Sequence, residues 1–183
     1  MKVNIITKNP LKVLAAKRAF EKHGVEVNFI KKEYPEIQAD TSLEIAASTA
    51  KTAAKELGIP VIREDHSFFV NALGIPGPYC NYFERALGTE GLLKMLKKFL
   101  DRSAYFEIAT VYALPDGKIK TWVGRVPIII ACEPRGDLSR GWDAVLMFEN
   151  EKRTFAEYPM EERIDVWNEN FEKIAKLAAA GEL

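Results

Sequence analysis

The stretch Val3-Asn4-Ile5-Ile6-Thr7-Lys8-Asn9-Pro10-Leu11-Lys12 constrains this chain more than any other. A short apolar strand runs straight into a helix. Asn9 suits the N-cap, and Pro10 suits the first helical position, where a missing N–H costs nothing. The helix is expected to run to about His23 and stop at Gly24. A helix start leaves backbone N–H groups without intrahelical partners and carries partial positive charge. Thr7, Lys8, Asn9 and Lys12 surround that start with hydroxyl, amide and ammonium donors. The combination suits a phosphate. An ordinary capped helix with surface lysines fits this segment as well.

The 183 residues are enough for one domain with a sizeable core, in two lobes without a linker. Formal net charge is zero, so the global basic field that non-specific nucleic-acid binding relies on is absent. A small anion held by a few local lysines remains compatible. Cys80 and Cys132 are too few for a disulfide framework, match no metal spacing and are expected to behave as small buried residues. His23 and His66 lie far apart and form no zinc motif. No signal-like or long apolar run appears, which makes the cytoplasm the expected location, with no membrane partner expected.

Residues 25–30 read as a second strand and 31–40 as a charged loop. The next helix is expected over 41–57, with Thr41 and Glu44 at capping-box spacing. Val61 and Ile62 are expected to start a short buried strand ending in Arg63-Glu64-Asp65-His66-Ser67. Residues 74–78 read as a turn-rich loop. Residues 89–100 form an amphipathic helix, with Leu92, Leu93, Leu96 and Phe99 on its apolar face. Further strands are expected over 104–114, 118–124 and 125–132, the first two joined by an Asp116-Gly117 turn. A last helix covers about 160–180. The order predicts a mixed sheet with helices packed on it.

Two acidic clusters fall in loops: Glu33, Glu36 and Asp40, and then Glu64 and Asp65. Asp65 ends a buried strand, where a carboxylate is costly unless paired or metal-bound. Two or three carboxylates near a phosphate suit Mg2+, which takes a few protein oxygens together with substrate oxygens and water. A free carboxylate oxygen would take the proton of an attacking water. His66, beside Asp65, offers a further acid or base. Gly141-Trp142-Asp143 places a Trp in a Gly-flanked loop, where its face could stack on a base or pack as core.

These pieces occur in the order seen in one family. The chain resembles the inosine triphosphate pyrophosphatase family (Ham1-like), whose members hydrolyse non-canonical purine nucleoside triphosphates to monophosphate and pyrophosphate. Its T-x-N-x-x-K is matched by Thr7, Asn9 and Lys12, and its glutamate by Glu36. Its acidic-Asp-Ser-Gly-Leu element falls on Glu64-Asp65-His66-Ser67-Phe68, and its R-x-A-x-F on Arg102, Ala104 and Phe106. Arg135-Gly136, Gly141-Trp142-Asp143 and the T-x-A-E of Thr154, Ala156 and Glu157 complete the set. The resemblance implies an α/β, two-lobed fold with an elongated mixed sheet flanked by helices and a nucleotide cleft between the lobes. It also implies Mg2+ and a homodimer. By it, Thr7, Asn9 and Lys12 hold phosphates, Glu36 and Asp65 bind metal, and Asp65 is also the proton acceptor. Trp142 and Asp143 contact the nucleoside end.

The departures point elsewhere. The Ser-His-Arg that opens the family's last helix aligns with Trp167-Asn168-Glu169, and the family's nearby lysine is Arg163. The His-Arg pair donates to a 6-keto purine. An ionised Glu169 only accepts, and Asn168 does both, a pair suited to adenine. The reading is a Mg2+-dependent hydrolase shifted toward an adenine nucleotide or an activated adenylate such as threonylcarbamoyl-AMP. The alternatives are an ordinary ITP, XTP and dITP pyrophosphatase, with Arg140 and Arg163 replacing the lost donors, or a silent nucleotide-binding paralogue. The family's lysine on the second helix falls on Lys51, Lys55 or Thr49.

Overall fold

The computed structural model describes residues 2–183. Among them the chain forms β1 (Lys2–Ile6), α1 (Pro10–Glu21), β2 (Glu26–Ile30), α2 (Ser42–Leu57), β3 (Val61–Val70) and β4 (Ile75–Gly77). It continues with α3 (Cys80–Met95), β5 (Ser103–Ala113), β6 (Ile119–Ile130), β7 (Leu146–Phe148) and α4 (Glu169–Ala180). The strands make one mixed sheet in the order β2-β1-β3-β5-β6-β7, with β4 on β3. β1 runs parallel to β2 and β3, while β3–β4 and β6–β7 are antiparallel. Among the described residues no helix is long and apolar enough to cross a membrane. Two compact units divide the chain. The first holds Met1–Asp65, Ile108–Gly124 and Arg163–Leu183, and the second His66–Glu107 and Arg125–Glu162.

In the first unit, adjacent residues of β1 point to opposite faces of the sheet, as a strand requires. Val3 and Ile5 pack with Ala15, Ala16, Ala19 and Phe20 of α1 and with Phe171, Ile174 and Ala178 of α4. Ile6 packs the other way, with Val61, Val111 and an alanine stripe on α2, Ala46, Ala50, Ala53 and Ala54. Alanine brings a helix close to a sheet at no side-chain entropy cost. Asn9 caps α1 as its sequence predicts, its Oδ1 accepting from the N–H groups of Leu11 at 2.9 Å and Lys12 at 3.4 Å. Thr41 caps α2 by accepting from the Glu44 N–H at 3.2 Å. The end of α1 is tied to α4, because Glu172 accepts from Lys22 at 2.7 Å and meets His23 Nε2 at 2.9 Å.

The second unit is held by aromatic contacts and by side chains spent on backbone. Phe68 lies 4.7 Å from Phe106 and 5.8 Å from Trp142, centroid to centroid. Arg102 donates to the carbonyls of Leu96, Ile130 and Ala131. Thr154 and Glu157 form a capping box, and Thr154 also donates to the Arg135 carbonyl at 3.1 Å. Gly136 sits against that turn at φ +76°, and a Cβ there would lie 2.6 Å from the Ala156 carbonyl.

Four elements differ from their sequence expectation. The strand expected to end near Ser67 continues to Val70, because β4 pairs with residues 68–70 in the segment expected to be only a loop. The helix expected from Thr89 begins at Cys80 and breaks at Gly88, whose φ of 62° and ψ of −174° are not helical. Its expected apolar face stops short, since Leu92 and Leu96 are buried but Phe99 is exposed. The strands expected over 118–124 and 125–132 are one strand, β6. Gly124 does not end it, and a Cβ there would meet Asn170 Oδ1 at 3.4 Å, so this glycine marks a close approach of α4. The last helix starts at Glu169, not near Met160. Residues 164–167 form a 3-10 turn that buries Ile164, and Asn168 is the N-cap residue of α4. The cysteines also differ from expectation, with Cys132 exposed and Cys80 half-buried.

Two outcomes test this packing. Gly136→Ala lowers stability by more than about 1 kcal/mol in urea unfolding, because the backbone there is strained for any Cβ and the space is taken. The bonds from Lys22 and His23 hold the Glu172 carboxyl below its ordinary value. A carboxyl lowered on folding contributes stability that is present above its unfolded value and lost as pH falls through the folded one. Glu172→Gln therefore flattens the acid limb of a Tm-against-pH profile below about pH 4.3.

Candidate active site

The start of α1 does not offer the bare N–H cradle expected of it. Pro10 has no N–H, Leu11 and Lys12 donate to Asn9 Oδ1, and Val13 donates to the Asn9 carbonyl at 3.0 Å. What remains for an anion are side chains. Thr7 is buried and accepts from the Asn9 N–H at 3.1 Å. Lys8 is exposed and pairs with Glu33 at 2.6 Å. Lys12 turns inward, its Nζ donating to the Glu64 carbonyl at 3.0 Å and lying 3.8 Å from Glu64 Oε1.

Lys12 is the electrostatic centre of the first unit. Burial pushes its ammonium below its ordinary pKa, against the pull of Glu64, Asp65 and Glu36 and with a push from Arg63. The Lys12 side chain is half-buried, and an ammonium among carboxylates in such a place can act as a counter-charge for an anion.

Glu64 is 4% exposed, so its carboxylate needs partners. Thr110 Oγ1 donates to Glu64 Oε2 at 3.2 Å. That hydroxyl accepts from Asn170 Nδ2 at 3.1 Å, which also donates to the Ile108 carbonyl at 2.9 Å. The Asn170 donation leaves the single Thr110 proton for Glu64. Asp65 is the next residue on β3 and is half-buried. Glu36 Oε1 accepts from Arg63 Nη2 at 2.5 Å, and Arg63 Nη1 donates to the Ile6 carbonyl at 3.1 Å. Arg63, Thr110 and Asn170 do not stand out by sequence reasoning. The one available signal is that Arg63 precedes two acids on a strand.

These carboxylates are hard oxygen donors. Among the described residues no group of three or more His, Cys, Asp and Glu is arranged to hold a metal. A cation that keeps water and takes most of its remaining ligands from substrate phosphate needs only one or two carboxylates. Glu36 and Asp65 fit that requirement.

The other expected site residues have different surroundings. Trp142, expected in a loop with its face open to a base or packed as core, is 4% exposed. Its indole Nε1 donates to the Gly88 carbonyl freed by the helix break at 3.0 Å, and its backbone N–H donates to Glu84 at 2.8 Å. It is a core anchor. Asp143 accepts from Arg140 at 2.8 Å, and burial pushes its carboxyl up against that ion pair. Arg140 also donates to the Tyr158 carbonyl at 2.7 Å. His66 lies half-buried on β3, and Arg163 half-buried at the head of the 164–167 turn. Asn168, expected to read a base, is buried and donates to Asp165 at 3.0 Å. Glu169 is exposed and pairs with Lys173 at 2.6 Å. Of the three positions considered for a lysine on α2, Lys51 and Lys55 are exposed and Thr49 is buried.

The Ham1 family model matches residues 3–176. The chain belongs to the Ham1 family. It is 41% identical over 167 residues to a dITP/XTP pyrophosphatase of Methanopyrus kandleri, covering 91% of this chain and 89% of that one. It is 42% identical over 164 residues to a dITP/XTP pyrophosphatase of Thermococcus kodakarensis, covering 89% and 88%. An inosine triphosphate pyrophosphatase of Aspergillus fumigatus is 40% identical over 181 residues, covering 97% and 92%. Among solved structures, a HAM1 protein of Coxiella burnetii shares the fold, with a TM-score of 0.81 at 23% identity over 98% of this chain and 99% of that one. A nucleoside-triphosphatase / dITP/XTP pyrophosphatase of Mycobacterium abscessus has a TM-score of 0.74 at 26% identity, covering 97% of each. These relatives lend no support to a shift toward adenine nucleotides and agree better with the ordinary pyrophosphatase alternative. The surroundings of the two residues agree, because Asn168 is buried and Glu169 is already paired with Lys173.

Thr110→Val tests the buried relay. It leaves Glu64 Oε2 without this donor and costs about 1–3 kcal/mol of stability in urea unfolding, whereas Thr110→Ser keeps the hydroxyl and stays near wild type.

Proposed function

We propose that the chain is a Mg2+-dependent nucleoside triphosphate pyrophosphatase that acts on dITP, XTP and ITP and releases the monophosphate and pyrophosphate. The observation that carries this reading is the inward-turned, half-buried ammonium of Lys12 beside the Glu64-Asp65 pair, in a chain about two-fifths identical to dITP/XTP pyrophosphatases over most of its length.

Each residue has a separable task. Lys12 binds the phosphate chain, and Thr7 and Asn9 shape the turn that presents it, with Lys8 adding charge from the rim. Asp65 accepts the proton of the attacking water while the α–β phosphoanhydride breaks and the bond electrons leave on the departing phosphate oxygen. Glu64, held by Thr110, keeps Lys12 charged and in place. Glu36 and Asp65 would hold Mg2+, which when bound neutralises phosphate oxygens. His66 and Asp143 are the remaining titratable candidates, and the 6-keto group calls for a hydrogen-bond donor, which Arg163 can supply and an ionised Glu169 cannot. A homodimer and a cytoplasmic location belong to the same reading.

Initial rates of pyrophosphate release in Mg2+ test it. The expected result is that dITP, XTP and ITP exceed dATP and ATP by ~100-fold or more, since a site built to donate rejects a base that cannot accept. Asp65→Asn lowers kcat by about 100- to 10,000-fold with a smaller change in KM. Equal rates on ATP and dITP would overturn the assignment of substrate. Equal rates of wild type and Asp65→Asn on every nucleotide would overturn the assignment of activity.

A further inference from the structure

We propose that Arg63 is a positioning residue for Glu36, fixing the carboxylate of an irregular loop so that it serves as a metal ligand. The inference rests on the proposed function, in which Glu36 binds the divalent cation.

Glu36 lies in the segment 31–40, where neither a helix nor a strand ladder fixes the backbone, and its side chain is 47% exposed. A carboxylate in such a place samples many positions unless something holds it. Arg63 holds it. Its side chain is 19% exposed, and its guanidinium gives Nη2 to Glu36 Oε1 at 2.5 Å and Nη1 to the Ile6 carbonyl at 3.1 Å. One planar group therefore ties the loop carboxylate to the end of β1. Arg63 also sits two residues before Asp65 on β3, so the strand period places both on the same face. The group that orients Glu36 is built into the strand that carries the other proposed ligand.

The bond engages one carboxylate oxygen and leaves Oε2 for a cation. Metal-bound carboxylates are commonly held this way by an outer hydrogen bond, and loss of such a partner costs roughly 10–100-fold in metal affinity. A lysine cannot replace Arg63, because a single ammonium lacks the rigid fork that spans the Ile6 carbonyl and Glu36 together.

Positioning and plain electrostatics predict opposite signs. If Arg63 acted only as a nearby positive charge, removing it would tighten cation binding. If it positions Glu36, removing it weakens binding. Mn2+ is titrated against wild type, Arg63→Met, Arg63→Lys and Glu36→Gln, with and without inorganic pyrophosphate, and free Mn2+ is monitored by its electron paramagnetic resonance signal. The expected result is a roughly 10–100-fold weaker Kd in Arg63→Met and most of that loss in Arg63→Lys. Adding Arg63→Met to Glu36→Gln costs nothing further, as expected for residues that act through one another. Thermal unfolding of each variant identifies any that fails to fold, and Arg63→Lys is then read alone. Unchanged or tighter binding in the Arg63 variants overturns the proposal, and so does a Glu36→Gln variant that binds Mn2+ as wild type does. Failure of the wild type to release pyrophosphate from any nucleotide overturns the proposed activity instead, and leaves the Mn2+ result readable.

Discussion

The contact between Lys12 and Glu64 is the constraint on which the first unit depends. An ammonium and a carboxylate that are both withdrawn from water repay their desolvation only if the geometry is good and their remaining valences are met. Lys12 donates to the Glu64 carbonyl as well as facing its side chain, and the far oxygen of Glu64 is met by Thr110, which is itself set by Asn170. Asn170 lies in the first turn of α4, Thr110 on β5, Glu64 on β3 and Lys12 on α1. One chain of polar contacts thus reaches four elements.

The motifs by which the chain resembles its relatives divide into two kinds. Those of the second unit are largely structural. Arg102 closes three backbone carbonyls, and Thr154 with Glu157 forms a capping box that bonds back to Arg135. Trp142 fills the core, with its N–H groups spent on Glu84 and Gly88. Those of the first unit, Thr7 to Lys12, Glu36 and Glu64-Asp65, carry the charges that the proposed chemistry needs. A motif residue can therefore serve backbone as readily as substrate, and its place in the sequence does not say which.

Much of this was legible in the chain. The caps at Asn9 and Thr41 and the stops at Gly24 and Gly58 are local devices, and local devices are readable from neighbouring residues. The apolar run of β1 and the hairpin between β5 and β6 are equally local. What was not legible depended on distant partners. β3 continues because β4 returns to pair with it, Gly124 lies within a strand because α4 approaches it, and α3 breaks at Gly88 while Trp142 takes the freed carbonyl. A shift toward adenine follows from the residue types of Asn168 and Glu169 only where both side chains are open to a base. In the fold Asn168 is buried and donates to Asp165, and Glu169 pairs with Lys173.

By itself the sequence determined the α/β pattern, the strand-to-helix start, the membership implied by its ordered motifs, and the acidic clusters and lysines that are candidates for a site. It could do so because capping, periodicity and charge are properties of short segments. Only the tertiary structure decided what each charged group faces. It spent the N–H groups of α1 on Asn9 and turned Lys12 inward to Glu64. It also tied Glu36 to Arg63 and buried the ring of Trp142. The physical reason is that the energy of a polar group is set by its partner and its exposure to water. Both are fixed by residues far away in the chain.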